Sequence, residues 1–339
     1  MPASASLQSL FEAFDQLTVL IVGDVMIDSY LWGKSTRLSP EAPVPIVNVL
    51  KSEKRLGGAA NVALNVQALG ATALLCSVIG DDQEGADLIR LLEEKQLSTD
   101  GIIRSPERIT TVKQRILSGG QQLLRIDCEV ESDLVEHENR HLLERFEQLL
   151  QQADVVIFQD YDKGVLNQQN IAELIALSQQ KSIPTVVDPK KKNFLRYKGC
   201  TLFKPNLKEL KEGLKVDFAD ANLEAFEEAA SDLQKTLQTE NILITLSERG
   251  VFCMANQAKT YIPAHLRTIS DVSGAGDTVI SIAAVCIALN LPLPLVAELS
   301  NLGGGLVCEQ VGVVPLNKQS LYKEAVSCKI LEKDKALKV

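Results

Sequence analysis

The amino-acid sequence predicts an α/β fold in which a doubly wound, mostly parallel sheet is flanked by helices. Short runs rich in β-branched residues alternate with helical patterns along nearly the whole chain. Each run is apolar on both faces, which is typical of strands that helices cover on both sides. No linker rich in Pro, Gly or Ser interrupts this alternation. We therefore expect residues 1–339 to form one domain.

The predicted strands and helices alternate in chain order. The strands are residues 19–22, 73–79, 154–158, 184–187, 201–203 and 242–246. Between them, longer segments carry apolar residues three and four positions apart, as amphipathic helices do. These predicted helices are residues 59–69, 84–96, 134–152, 170–180, 223–237 and 275–289. Such an order favours a sheet with helices on both faces.

Two excursions break the alternation, at about residues 30–50 and 110–127. The first contains the alternating segment Val44-Pro-Ile-Val-Asn-Val49, and the second has the pattern of a β-hairpin around Ser118-Gly119-Gly120. We expect these excursions to form a small β-lid over one end of the sheet.

Composition and charge exclude several classes of function. The net charge of -9 has the wrong sign for a protein that neutralises the phosphates of a nucleic acid. The longest apolar stretch, residues 279–289, is far shorter than the ~20 residues that span a bilayer. The seven cysteines include no Cys-x-x-Cys pair and are expected to be buried thiols in a reducing compartment. We therefore expect a cytoplasmic protein without a nucleic-acid or membrane partner.

The strongest local motif is Asp271-Val-Ser-Gly-Ala-Gly-Asp-Thr278, which leads directly into an apolar helix. The backbone amides of Gly274, Ala275 and Gly276 can point at one spot at the positive end of that helix, where an anion binds well. Asp277 is then placed to take a proton from an attacking hydroxyl while the amides stabilise a transferring phosphoryl group. The alternative is that the glycines shape a turn and Asp277 caps the helix.

Polar residues also follow several predicted strands, where ligands of open α/β sheets gather. Asp24 and Asp28 follow the first strand, and carboxylates suit sugar hydroxyls, although Asp is also a common turn residue. Asn61, after the pair Gly57-Gly58, can bind a sugar hydroxyl or cap a helix.

Lys163 follows the strand that ends at Phe158 and can hold a phosphate or simply be solvated. Asn206 and Glu209 have the spacing of a capping box, or of a pair that holds Mg²⁺ through water. Spacing alone favours the cap.

Two other patterns match known motifs by chance. Gly33-Lys34-Ser35 resembles the end of a P-loop, but the first glycine of that motif is replaced by Asp28. His137 and His141 have the spacing of a zinc-protease helix, and we expect both on a solvated face.

The order of the motifs along the chain resembles the ribokinase-like superfamily of sugar kinases, including the phosphofructokinase B type, over about residues 15 to 325. Within it, the sequence is most similar to the heptose-7-phosphate kinases. The stretches that carry this similarity are Gly23-Asp-Val-Met-Ile-Asp-Ser-Tyr30, Arg37-Leu-Ser-Pro-Glu-Ala-Pro-Val-Pro45, Gly57-Gly-Ala-Ala-Asn-Val-Ala63, Gln121-Gln-Leu-Leu-Arg125, Asp160-Tyr-Asp-Lys-Gly164 and Asp271-Val-Ser-Gly-Ala-Gly-Asp277.

The resemblance implies ATP-dependent phosphorylation of the anomeric O1 of heptose 7-phosphate, for the ADP-heptose route to the lipopolysaccharide core. It makes Asp277 the base and the amides of Gly274, Ala275 and Gly276 the anion hole. The residues that it implies for the sugar are Asp24, Gly57, Gly58 and Asn61. It implies that Lys163 and Arg125 bind the 7-phosphate. The residues that it implies for ATP are Asn206, Glu209, Thr245, Ser247, Gly250 and Asn301.

The resemblance further implies Mg²⁺, which Glu209 reaches through water, and a monovalent cation such as K⁺ at Asp271. It also implies a homodimer formed through the lid. Ser273 and Gly120 depart from the usual Thr and Asn of the family. Some relatives carry a C-terminal nucleotidyltransferase domain, and we expect this sequence to contain only the kinase part.

Two other functions compete with this hypothesis. One is a related kinase acting on fructose, ribose or a nucleoside, which Lys163 and the Pro-rich lid segment argue against. The other is a non-catalytic sugar-nucleotide sensor on the same fold. The intact Asp277 argues against the sensor, because a sensor needs no base.

Overall fold

The computed structural model describes residues 6–310 and 312–330. Within these residues the main sheet has nine strands. In chain order they are β1 (Thr18–Gly23), β4 (Thr72–Gly80), β5 (Ile102–Ser105), β8 (Val155–Gln159), β9 (Thr185–Asp188), β10 (Leu202–Phe203), β11 (Asn241–Thr245), β12 (Val251–Ala255) and β13 (Ala258–Ile262). The four strands that fall between these in chain order belong to a second sheet.

The main sheet is doubly wound. Its spatial order is β13-β12-β11-β10-β9-β8-β1-β4-β5, and the strands from β5 to β11 run parallel. Strands β12 and β13 pair antiparallel at one edge. The chain winds outward in both directions from β1, so the carboxyl ends of β1 and β8 flank a switch point where ligands of such sheets bind. The predicted fold class is confirmed.

Ten helices lie in the described ranges, and they cover both faces of the main sheet. They are α1 (Leu7–Ala13), α2 (Ala59–Ala68), α3 (Gln83–Glu94), α4 (Glu136–Leu150), α5 (Ile171–Gln180), α6 (Leu207–Leu214), α7 (Leu223–Leu237), α8 (Ala275–Ala288), α9 (Leu293–Cys308) and α10 (Lys318–Ser327). Two hydrophobic clusters fill the space between the helices and the two faces of the sheet. None of these helices combines the length and apolar character needed to span a bilayer.

The second, smaller sheet contains four strands. These are β2 (Val25–Leu38), β3 (Pro45–Gly58), β6 (Val112–Ser118) and β7 (Gln121–Cys128), in the spatial order β3-β2-β6-β7. A tight turn at Gly119 and Gly120, both at positive φ, joins β6 to β7. We call this sheet the lid. It is connected to the carboxyl end of β1, because β2 begins two residues after β1, and to α2, because β3 runs directly into that helix.

Helices α8 and α9 pack closely because of a glycine. A Cβ at Gly303 would lie only 2.1 Å from the Cδ1 atom of Ile282. The glycine run in α9 therefore serves the approach of two buried helices. All seven cysteines lie within the described ranges and are free, and five are buried.

Candidate active site

Polar side chains converge where four adjacent strands of the main sheet end. Strands β1, β8, β9 and β10 are neighbours and parallel, so their carboxyl ends meet at one edge. They deliver Gln159, Asp188 and Lys204 to this edge, and α8 begins above it with Asp277 in its first turn. All four of these residues are buried.

Asp277 is held by three side-chain donors. Asn61 Nδ2 lies 2.5 Å from Oδ2, Tyr161 Oη lies 2.9 Å from Oδ1, and Gln159 Nε2 lies 3.3 Å from Oδ1. Burial raises the pKa of Asp277 to about 6, although the hydrogen bonds from Asn61 and Tyr161 act in the opposite direction. A carboxylate with this pKa can accept a proton near neutral pH.

The segment before Asp277 forms the start of α8, where the sequence predicts an anion hole. Gly274 adopts a left-handed conformation (φ 81°), and α8 begins at the next residue, Ala275. The amides of the first helical turn have no partner within the helix and lie at its positive end. A Cβ at Gly276 would lie 3.9 Å from Asp188 Oδ2 and 4.0 Å from Lys204 Nζ. The helix start therefore lies beside a carboxylate and an ammonium group.

Two ion pairs line this side of the site. Lys204 Nζ lies 3.1 Å from Asp188 Oδ1, and both side chains are almost fully buried. Lys190 Nζ lies 2.5 Å from Glu209 Oε1 and 5.5 Å from the centre of the Tyr161 ring. Burial would lower the pKa of Lys190, but Asp188 and Glu209 outweigh it and raise that pKa.

Asp24 has a different environment from the one that the sequence predicts. Its carboxylate accepts hydrogen bonds from the backbone N–H groups of Tyr161 (2.8 Å), Lys163 (3.1 Å) and Val165 (3.1 Å). Asp24 is only 1% exposed. This carboxylate therefore anchors the loop that carries Tyr161, and its contact with a sugar remains a prediction.

Asp28, four residues later, is more exposed than Asp24. Its side chain is 12% exposed and Oδ1 lies 2.6 Å from Arg115 Nη1. Gly57 is required here, because a Cβ at this position would lie 2.5 Å from Asp28 Oδ2. Gly58 (φ 59°) is the residue before α2 and brings Asn61 towards Asp277. Asn61 therefore contacts Asp277, whereas Gly57 lies beside Asp28 and Gly58 beside the backbone of Asp24.

Among the described residues, neither Lys163 nor Arg125 contacts Asp277. Lys163 Nζ lies 2.8 Å from one oxygen each of Glu129 and Glu131. Arg125, on β7, contacts Asp127 at 2.9 Å, and half of its side chain is exposed. Both predicted phosphate ligands thus already have carboxylate partners.

Asn206 and Glu209 form the capping box that their spacing favours. Asn206 Oδ1 accepts from the N–H of Glu209 (2.8 Å), and Glu209 Oε2 accepts from the N–H of Asn206 (2.9 Å). Glu209 Oε1 turns to Lys190, so the same residue caps α6 and faces the site. A bridge between Asn206 and Thr245 places the end of β11 beside this cap.

The remaining residues predicted for the ATP end lie near the carboxyl end of β11 and on α9. Ser247 has a positive φ of 55°, and Gly250 has a φ of 91°. A Cβ at Gly250 would lie 2.1 Å from the carbonyl oxygen of Ile262, so this turn requires glycine. Asn301 Nδ2 donates to the carbonyl oxygen of Pro263 at 2.9 Å.

Asp271 links two loops beside the predicted anion hole. Its Oδ1 accepts from the N–H of Ser273 (2.9 Å) and its Oδ2 from the N–H of Gly312 (3.0 Å). Burial alone would raise the pKa of Asp271, but these hydrogen bonds lower it.

The two chance motifs lie elsewhere. Gly33, Lys34 and Ser35 belong to strand β2 of the lid. His137 and His141 lie on α4 with ring centres 6.2 Å apart, and the side chain of His137 is half exposed. Among residues 6–310 and 312–330, no group of three or more His, Cys, Asp or Glu side chains is placed to hold a metal ion.

Sequence reasoning missed six residues of this region. They are Gln159, Tyr161, Asp188, Lys190, Lys204 and Arg115. A signal existed for Asp188 and Lys204, because each follows a predicted strand directly, as the ligand residues of such sheets do. Lys190 stands in a run of three lysines, which on sequence alone indicates a solvated segment.

The sequence matches the pfkB family of carbohydrate kinases over residues 16–319. The chain therefore belongs to this family and is a phosphotransferase that acts on a sugar hydroxyl. The family implies ATP as the phosphoryl donor, usually with Mg²⁺.

Among curated proteins, the chain is similar to the bifunctional HldE proteins. The bifunctional protein HldE of Syntrophotalea carbinolica is 36% identical over 98% of this chain and 68% of its own length. HldE of Coxiella burnetii (strain Dugway 5J108-111) is 40% identical over 96% of this chain and 68% of its own length. HldE of Chromohalobacter salexigens is 41% identical, over 94% of this chain and 65% of its own length. The chain thus spans about two thirds of these relatives.

Solved structures share the fold at low sequence identity. Phosphofructokinase-2 from Escherichia coli in complex with potassium has a TM-score of 0.77 at 18% identity, covering 91% of this chain and 99% of that one. Ribokinase from Arabidopsis thaliana, complexed with ribose and ATP, has a TM-score of 0.69 at 14% identity with the same coverages of 91% and 99%.

Proposed function

We propose that this chain transfers the γ-phosphoryl group of ATP to the anomeric O1 of D-glycero-D-manno-heptose 7-phosphate. The product is heptose 1,7-bisphosphate, for the ADP-heptose route to the lipopolysaccharide core. The match to HldE proteins over nearly the whole chain supports this proposal. A cytoplasmic location remains a prediction.

In this proposal Asp277 is the base. It removes the proton of the attacking hydroxyl while the amides of Gly274, Ala275 and Gly276 neutralise the phosphoryl group. The three donors around Asp277 support this role because they fix the orientation of the carboxylate. The sugar lies against Gly57, Gly58 and Asn61, and Asp28 replaces Asp24 as its carboxylate ligand.

The ATP end is formed by the α6 cap and the turn after β11. We assign Asn206, Glu209, Thr245, Ser247, Gly250 and Asn301 to this end, as the resemblance implies. Mg²⁺ is usually held by one or two carboxylates together with phosphate oxygens and water. Glu209, with Asp188 nearby, fits that pattern. When bound, the ion would neutralise charge on the phosphates.

We base the preference of the enzyme for a phosphorylated sugar on one observation: three arginines form a row across the lid. Tyr30 pairs with Arg115, and Arg115 pairs directly with Arg125. Arg55 pairs with Asp28, two residues before Tyr30 and so on the same face. Cross-strand partners share a face, so Arg55, Arg115 and Arg125 form one row, which we call the arginine row.

The arginine row has the properties of a phosphate site. Like charges directly opposite each other disfavour a sheet, and at Arg115 and Arg125 the carboxylates of Asp28 and Asp127 offset this repulsion only in part. Arg55 and Arg115 lie against the Tyr30 ring, with their guanidinium carbons 4.9 and 5.3 Å from its centre. Each guanidinium has five N–H donors, more than one carboxylate can accept. A phosphate dianion would use the remaining donors and relieve the repulsion.

The row also begins at the catalytic edge. A Cβ on Gly312 would lie 3.3 Å from Arg55 Nη1, and Gly312 donates to Asp271 beside the anion hole. At the other side, Arg115 contacts Asp28. A sugar with its O1 near Asp277 can therefore extend its phosphate towards the row. Lys163 and Arg125 keep their proposed roles at the 7-phosphate, and Arg55 and Arg115 join them.

The test is steady-state kinetics of Arg115→Met on heptose 7-phosphate and on unphosphorylated heptose. A charge-assisted hydrogen bond contributes about 1.5–3 kcal/mol, so we expect kcat/KM for the phosphorylated sugar to fall roughly 10- to 100-fold, mainly through KM. Turnover of the free sugar should fall much less, and only because Arg115 also holds the proposed sugar ligand Asp28. Arg37→Met, the same replacement at the far end of the lid, is the control.

Two outcomes would oppose the proposal. A wild-type preference for unphosphorylated fructose, ribose or heptose would favour another kinase of the family. An equal fall of kcat/KM on both sugars in Arg115→Met would show that the arginine row does not bind the phosphate. A non-catalytic sensor is favoured only if no sugar is phosphorylated.

A further inference from the structure

A lysine that no sequence motif singles out lies between the base and the ATP end. Lys190 follows β9 by two residues, and its Nζ contacts Glu209 at 2.5 Å. The same ammonium lies 5.5 Å from the centre of the Tyr161 ring, and Tyr161 donates to Asp277 at 2.9 Å. The positive charge of Lys190 therefore lies between Glu209 and Asp277.

Lys204, the second lysine of the site, is buried and cannot reorient as Lys190 can. The side chain of Lys204 is 4% exposed and paired with the buried Asp188, whereas that of Lys190 is 34% exposed. Lysine carries its charge on a flexible four-carbon stem with three donors. Lys190 can therefore reorient towards a ligand, and Lys204 serves as the fixed counter-charge of Asp188.

We propose that Lys190 is a catalytic residue whose ammonium leaves Glu209 and contacts the transferring phosphoryl group. This inference rests on the assignment of Glu209 to the magnesium end of the site. A divalent cation near Glu209 competes with the ammonium for the same carboxylate charge. With Mg²⁺·ATP bound, Glu209 would share its charge with the ion, and the Lys190 ammonium would be free to turn to the phosphoryl group.

Lys190 stays protonated during the chemical step. The bond between the γ-phosphorus and the bridging β–γ oxygen breaks, and a bond from that phosphorus to the sugar oxygen forms. The hydroxyl proton moves to Asp277. Charge on the three equatorial phosphoryl oxygens is stabilised by the helix amides on one side and by Lys190 on the other. The ammonium keeps its three protons throughout.

The test compares Lys190→Met, Lys190→Arg and Lys191→Met. Lys191 is the adjacent, exposed lysine and provides the same replacement outside the site. We expect kcat of Lys190→Met to fall about 10²- to 10³-fold, as for loss of one donor to a transition state. KM for the sugar should stay within about threefold. Lys190→Arg should recover part of kcat, and Lys191→Met should match the wild type.

Calorimetric binding of Mg²⁺·ADP separates catalysis from simple charge pairing. Lys190→Met should bind Mg²⁺·ADP as tightly as the wild type or more tightly, because the competitor for Glu209 is gone. The proposal is overturned if kcat of Lys190→Met stays within threefold of wild type. It is equally overturned if kcat and Mg²⁺·ADP affinity fall together, or if Lys190→Arg recovers nothing.

A companion variant, Glu209→Gln, tests the underlying assignment by itself. It should weaken the Mg²⁺ dependence of ADP binding. If the Mg²⁺ dependence of ADP binding is unchanged, Glu209 does not hold Mg²⁺. The proposal that Mg²⁺ replaces Lys190 as the partner of Glu209 is then wrong as well. The kcat of Lys190→Met then reports separately on whether the lysine contacts the phosphoryl group.

Discussion

At the scale of single residues, Asp277 shows how one carboxylate is prepared to act as a base. Burial raises its pKa from 3.8 to about 6, while the Asn61 amide and the Tyr161 hydroxyl favour the charged form. A base is most effective when its pKa lies near the working pH, because it is then both ionised and able to hold a proton. Full burial without these donors would leave it protonated.

The raised pKa also makes Asp277 costly for stability. A carboxyl group with a folded-state pKa above its unfolded value contributes stability that is fully present only below the unfolded value. That contribution is lost as the pH rises through about 6. The resulting loss above this pH is on the order of 3 kcal/mol, because a pKa difference of 1 between the folded and unfolded states corresponds to about 1.4 kcal/mol.

Asp277→Asn should therefore lose activity and reduce the pH dependence of stability. We expect kcat to fall, at a cost of several kcal/mol in transition-state stabilisation, while ATP binding survives. The amide leaves one acceptor oxygen for the donors around position 277, which lowers stability at every pH, but the further loss that the wild type shows between about pH 3 and pH 8 should be absent. Kinetics and urea unfolding at the two pH values measure this.

Asp271→Asn is the matched control, because hydrogen bonds lower the pKa of Asp271. The same replacement there should reduce stability more at about pH 8 than at about pH 3. Unchanged turnover in Asp277→Asn would be fatal to the proposed base.

Single residues also mark what the sequence could predict. The motif before α8 predicted a polar site at the helix start, because small residues there indicate an anion site without any tertiary information. The structure brings Asn61, Tyr161 and Gln159 to Asp277 at this point, and the role of Asp277 as the base remains a proposal. The sequence could not separate Asp24 from Asp28, because both follow β1. Which of the two faces the sugar depends on the loop after β8, whose amides bind Asp24.

At the scale of elements, the loop from Asp160 to Val165 depends on Asp24. Three of its N–H groups bind the Asp24 carboxylate. At its start, Asp160 is fully buried against Tyr197 and Asn193, and burial raises the pKa of Asp160 to about 7. This loop holds Tyr161 against the base, so its order matters for catalysis.

Asp24→Asn should accordingly behave as a loop variant. An amide presents one acceptor oxygen in place of two, which leaves backbone N–H groups unpaired at a cost of about 1–3 kcal/mol. We expect lower stability and a lower kcat through Tyr161, with KM for the sugar unchanged. Steady-state kinetics together with urea unfolding separate these effects.

Asp28→Asn provides the comparison, because Asp28 is the proposed sugar ligand. It should raise KM for the sugar with little change in stability. A rise in KM for Asp24→Asn without loss of stability would restore the sugar role that the sequence predicts for Asp24.

The sequence predicted most elements of the sheet, since β1, β4, β8, β9, β10 and β11 all coincide with predicted apolar runs. Strands β5, β12 and β13 lie at the edges of the sheet and were missed. Which strands are neighbours is not encoded in any local pattern. The meeting of Asp188 and Lys204 follows from the pairing of β9 with β10, and the arginine row follows from the register of the lid. Both arise from contacts between distant segments.

At the scale of the whole molecule, the lid has two chemically different faces. Arg115 and Arg125 lie on one face, and the alternating residues of β7 lie on the other. Leu124 and Ile126 on that second face are 54% and 40% exposed. Leu50, in the middle of β3 at the register shift opposite Trp32 and Gly33, is 69% exposed. Exposed apolar patches of this kind are typical of protein interfaces, and this supports the proposed homodimer through the lid.

We expect the protein to sediment as a dimer and Leu124→Glu to convert it to a monomer, because a buried, unpaired carboxylate is costly at an interface. Val326→Glu, at a half-exposed position of α10, is the control and should leave the dimer intact. A wild-type monomer at micromolar concentration, or a dimer that survives Leu124→Glu, would assign the apolar face of the lid to another role.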